Sequence, residues 1–146
     1  MTTAFWLLLI CLVDTFYLFG GIWFVQILNY PLFSYVGPGE WITYHRFHAK
    51  RLLPVLIVPE LIEIGLSIAL IWVRPAAVPL WAVWLNIILF VVFQVETAVI
   101  QVPMQRALDK GFSKETIQRL TNSNWIRTAI LTLQAAVLFY MMAVAI

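Results

Sequence analysis

Four stretches of this chain are long and apolar enough to cross a bilayer, and that constrains its fold more than any other feature. They run approximately from Ala4 to Leu28, Leu52 to Val73, Val78 to Val102 and Trp125 to Ala145, each near the ~20 residues a membrane helix needs. Hydrocarbon offers the backbone no hydrogen-bond partner, so such segments form helices or closed barrels, and runs of this length form helices. The expected fold is all-α: a single integral-membrane four-helix bundle covering residues 1–146. Composition agrees, with 63% hydrophobic and only 11% charged residues, where a soluble domain carries roughly a quarter charged. The opening MTTAFWLLLICLVD has no basic leader region, so it reads as a first span rather than a cleaved signal. A lone Cys11 excludes an internal disulfide or a Cys-rich metal site. A net charge of +2 gives no case for nucleic acid.

Orientation follows from Lys and Arg. Arg46, Lys50 and Arg51 precede the second span; Arg106, Lys110, Lys114, Arg119 and Arg127 flank the gap between the third and fourth; only Arg74 lies opposite. The positive-inside bias therefore predicts a multi-pass plasma-membrane protein with two longer cytoplasmic connections and both termini on the extracytoplasmic side. Gly111 as a stop, Ser113 as a cap and Ile117 with Leu120 as an apolar stripe predict a short interfacial helix before span four. Asn122, Ser123 or Asn124 then caps that span.

Ionisable groups inside a membrane cost at least ~2.5 kcal/mol on insertion scales, so each needs a partner or a purpose. Here they are Asp14, Glu60, Glu63 and Glu96, joined by the amides Gln26, Asn86, Gln94, Gln101 and Gln134. Most fall toward the basic end, which predicts a polar site opening to the cytoplasm. In EWITYHRFHAKRLLPVLIVPELIE, helical phase puts His45, His48, Glu60 and Glu63 on one face, unless Pro54 or Pro59 shifts it. Pro59 also frees the carbonyl of Val55, an added acceptor near Glu60. Buried Glu60 calls for an ion-pair partner, with Arg127 and Arg51 the candidates. Glu96 points away from Gln101 by phase.

Two chemistries fit these residues. His45, His48 and Glu60 could complete a transition-metal site, or the histidines could ligate haem, although no Glu-x-x-His pair is present. Alternatively His45 or His48 does acid–base work with Glu60, since imidazole titrates near neutral pH; this reading needs no cofactor.

The segments VQILNYPLFSYVG, YHRFHAKR, PELIE, QVPMQRALDKGF and NWIRT together resemble a bacterial group of small four-span membrane proteins of unknown function. That group is similar to the family that includes fungal anthrone oxygenases. The likeness covers nearly the whole chain, at Tyr30-Pro31, His45, His48, Glu60, Gln101 to Pro103, Asn124-Trp125 and Arg127-Thr128. It implies oxygenation of an activated aromatic carbon without a cofactor, His45 or His48 acting as base and Asn124 with Trp125 orienting the substrate. Met104 and Gln105 stand where related sequences carry a histidine, so no third histidine role is carried over.

The functional expectation is a membrane-embedded oxidoreductase acting on a small hydrophobic molecule, aromatic or quinone-like. His45, His48, Glu60 and Asn124 would serve catalysis; Gln26, Tyr30, Gln101, Trp125 and Arg127 would hold substrate. The competing expectation is a non-catalytic accessory subunit, alone as a homo-oligomer or within a larger membrane complex. A carrier is disfavoured, because neither an inverted repeat nor a broken helix pair is apparent.

Overall fold

The structure is a computed structural model and describes residues 2–146. Four long helices account for nearly all of it: α1 (Thr3–Tyr35), α2 (Trp41–Ala69), α3 (Leu80–Leu108) and α4 (Lys114–Ala145), each long and apolar enough to cross a membrane. Each is longer at the basic end than the hydropathy pattern predicts. Apolar composition marks where a helix contacts lipid, whereas backbone hydrogen bonding carries it on into water. The connections shrink accordingly to Val36–Glu40, Leu70–Pro79 and Asp109–Ser113.

Ser113 does cap a helix, its Oγ accepting from the N–H of Thr116 at 3.2 Å. That helix is α4 itself, so the separate interfacial helix does not exist. Ile117 and Leu120 turn inward and are buried. Asn122, Ser123 and Asn124 lie within α4 and cap nothing. Pro54 and Pro59 sit inside an unbroken α2. The Val55 carbonyl that Pro59 leaves free accepts from the hydroxyl of Tyr17 on α1 at 3.2 Å. A group from the neighbouring helix thus meets the orphan acceptor, the usual way a membrane helix tolerates proline.

Near the basic end, α1 and α3 each pass through a π-helical turn, at Val25–Asn29 and Thr97–Gln101. Each turn is followed, after one intervening residue, by a proline, Pro31 and Pro103. The i→i+5 bonding inserts one residue and shifts all that follows by about 100°. In an uninterrupted α-helix Glu96 and Gln101 would diverge by about 140°. Here Gln101 Nε2 donates to Glu96 Oε1 at 2.9 Å, against the expectation from phase.

The chain ends approach one another, with Thr2, Phe5, Ala145 and Ile146 around one hollow beside Pro75. Three apolar clusters stack from this end to the other, around Leu8, Ala82 and Met141, then Leu18, Phe90 and Leu131, then Phe33, Trp41 and Leu120. In lipid such packing gives van der Waals contact rather than hydrophobic drive, so interhelical hydrogen bonds matter. Trp23 donates to Thr132, Gln26 to the carbonyl of Thr121 and Asn86 to Ser67. The glycines at 20 and 21 are not a close helix crossing: a methyl at Gly20 would meet nothing, and one at Gly21 only a Leu56 methyl at 3.7 Å.

Candidate functional site

A cavity of about 400 Å³ lies between α2 and the lower part of α3, reaching from His45 to Glu60. His45, His48, Leu52, Leu56 and Glu60 form the α2 wall; Thr97, Gln101, Gln105 and Asp109 form the α3 wall; Tyr30 and Arg127 close the back. The periodicity of α2 makes the histidines and Glu60 share this wall. The π turn of α3 rotates Gln105 and Asp109 to face them.

An aromatic cluster fixes both imidazoles. Phe33 is fully buried, with its ring centroid 5.9 Å from that of His45 and 4.9 Å from that of His48, both edge-on. Trp41 stacks on His45 at 5.1 Å, and its indole N–H donates to the Leu108 carbonyl at 2.8 Å. Tyr44 stacks on His48 at 6.1 Å.

His45 stands between two oxygens. Its Nδ1 lies 3.0 Å from Asp109 Oδ1 and its Nε2 lies 2.9 Å from Gln105 Oε1. Gln105 Nε2 in turn donates to the hydroxyl of Tyr30 at 3.2 Å. A neutral imidazole has only one N–H. This arrangement is therefore complete with a doubly protonated ring, or, with the ring neutral, once the Gln105 amide turns over and Tyr30 donates to its oxygen. The two arrangements differ by one proton along a chain of hydrogen-bonding groups from Asp109 through His45 and Gln105 to Tyr30. His48 is simpler. Its Nε2 lies 2.9 Å from Asn29 Oδ1, a pairing that an Nε2–H satisfies. Nδ1 is buried and has no hydrogen-bond partner.

Arg127 is buried and pairs with Glu96 at 3.6 Å, not with Glu60. Its guanidinium also lies 4.6 Å from the Phe93 ring centroid and donates to Asn124 Oδ1 at 3.1 Å. Glu60 accepts from Gln94 Nε2 at 3.2 Å. Arg51 lies over the Phe47 ring instead.

Six of the nine residues expected at a site therefore line this cavity: His45, His48, Glu60, Tyr30, Gln101 and Arg127. Asn124 and Gln26 do not line it. They are buried behind Arg127, Asn124 Nδ2 donating to Gln26 Oε1 at 3.0 Å, so Asn124 positions the guanidinium. Trp125 is also absent from the lining; it is half-exposed and meets Trp23 edge-on at 5.8 Å. Glu63, on the expected face, is fully buried in a separate cluster. Phe33, Trp41 and Asp109 complete the site without having been expected there, together with Asn29 and with Gln105, which stands where related sequences carry a histidine. For Asp109 a signal existed, one of only two acids, with Glu115, among the lysines and arginines between spans three and four.

His45, His48 and Glu60 do not converge as a three-ligand metal set. Both nitrogens of His45 are engaged, and among the described residues no three His, Cys, Asp or Glu side chains converge as ligands. Comparison of the chain with family models, curated proteins and solved structures found no match.

Proposed function

We propose that the chain is a membrane-embedded oxidoreductase of the oxygenase type, acting on a small hydrophobic ring compound held in the α2–α3 cavity. The observation that carries this reading is a pair of histidines, His45 and His48, on the wall of a cavity whose lining is otherwise largely apolar, with Leu52, Leu56 and Val102. An imidazole held by aromatic neighbours beside apolar walls suits removal of an acidic C–H proton. In the proposed step a ring methylene gives its proton to His48, and the carbanion is delocalised as an enolate whose oxygen faces Arg127. Dioxygen takes up the electrons. One of its oxygen atoms becomes the ring carbonyl and the other leaves as water with the two methylene hydrogens, so a methylene and dioxygen give a carbonyl and water with nothing left over. The hydrogen-bonded chain Asp109–His45–Gln105–Tyr30 returns protons to the leaving oxygen.

The concentration of basic residues at this end supports placing the cavity mouth at the cytoplasmic face of a plasma membrane. The test uses anthrone as probe with detergent-purified protein, following oxygen uptake and anthraquinone together. His48→Ala is expected to lower the rate at least ~100-fold, the lower range for losing a general base. His48→Ala oxidising anthrone as fast as the parent, or a parent protein that binds anthrone without oxidising it, would leave the accessory-subunit reading in its place.

A further inference from the structure

One helical turn beyond Glu60, about 4.5 Å along α2, begins a second polar cluster that the cavity does not use. Glu63 is its centre and is fully buried. Its Oε1 accepts from Gln134 Nε2 of α4 at 2.8 Å and from Ser67 Oγ at 3.2 Å. Cys11 Sγ of α1 lies 3.7 Å from Oε2, and Asn86 Nδ2 of α3 donates to Ser67 Oγ at 2.7 Å. All four helices contribute to it. The titratable groups facing Glu63 are Cys11 and Asp14, both on α1; α3 and α4 supply only the neutral amides of Asn86 and Gln134. No Lys, Arg or His forms an ion pair with Glu63 or Asp14 among the described residues.

Most of the unmet hydrogen-bonding capacity here is that of acceptors. Asp14 Oδ2, Asn86 Oδ1 and Gln134 Oε1 are buried without a donor, and the buried hydroxyl of Thr15, which can donate as well as accept, lies beside Glu63. Thr15, Asn86 and Gln134 are entirely buried, and both amides are anchored in the cluster through their nitrogens. A buried carboxylate without a counter-charge, beside several oxygens short of a donor, matches a bound cation: positive charge and electron-pair acceptance are what the cluster lacks.

We infer that Glu63, Asp14, Thr15, Asn86 and Gln134 form a buried site for one monovalent cation, either Na+ or a proton competing for the same carboxylate. The inference does not rest on the oxygenase reading, and its test does not use that activity.

The test is thermal unfolding of the purified protein in NaCl, KCl or choline chloride at fixed ionic strength, with an infrared spectrum of the carboxyl region. Sodium at about ten times its half-saturating concentration should raise Tm by about 3–6 °C over choline. Glu63→Gln should abolish the response, and the near-isosteric Thr15→Val should raise the sodium requirement about tenfold. That pattern identifies an alkali ion. Absence of a sodium response together with a carboxylic-acid C=O band that Glu63→Gln removes identifies the proton. An ionised Glu63 whose protein ignores both sodium and Glu63→Gln overturns the site. Failure of anthrone oxidation alone leaves it standing.

Discussion

Phe33 is the side chain on which both imidazoles rest. Truncation to alanine opens a hole between Tyr30, Trp41, Tyr44 and the two histidines, and large-to-small changes of this kind cost about 3–5 kcal/mol. Phe33→Ala is expected to lower Tm and to reduce anthrone oxidation at the same time, measured on one preparation. Arg127→Leu strands Glu96, whose remaining partner is Gln101. Breaking a buried ion pair on one side costs about 3–5 kcal/mol, whereas replacing both members is often near neutral. Thermal melts should therefore show Arg127→Leu well below the parent and the Arg127→Leu/Glu96→Leu double variant recovering most of the loss. The histidines and Glu60 were legible in the sequence because charge is rare and costly in hydrocarbon. Phe33 and Trp41 were not, since one more aromatic residue in so apolar a chain carries no signal. The pairing of Arg127 with Glu96 rather than Glu60 was hidden for a different reason: it depends on which helix faces which, and sequence phase describes one helix at a time.

At the scale of the element, the two π turns decide which side chains meet. The π turn of α3 already absorbs one extra residue, so inserting a single alanine after Gln101 adds one it does not hold and turns Gln105 and Asp109 about 100° away from His45. The insertion is expected to abolish anthrone oxidation, and isotope-edited spectra of His45 should show loss of the Asp109 contact. The four helices themselves were readable from hydropathy. Their extents at the basic end were not, because polar helical turns beyond the lipid look like loops by composition. The π turns left a trace in the matching prolines at 31 and 103, each two residues past its turn. A proline permits several local outcomes, and only the backbone hydrogen bonds distinguish them.

For the molecule as a whole, the charge bias predicts sidedness. In a Cys11→Ser background, single cysteines at Gly37 or Gly111 are expected to react with an impermeant thiol reagent only in inverted vesicles. One at Ala76 should react from outside intact cells. The reverse pattern would place the cavity mouth outside. α2 is the least buried of the four helices and α4 the most. Leu53 and Ile57 belong to the cavity wall and are also exposed on the flank of the bundle. That shared wall means the cavity borders the lipid as well as the basic end. A hydrophobic ligand reaching it by that side is counted in molecules per lipid rather than per litre of buffer. Diluting a fixed amount of protein and ligand with extra phospholipid should then lower the turnover rate, while diluting the same vesicles with water should leave it unchanged.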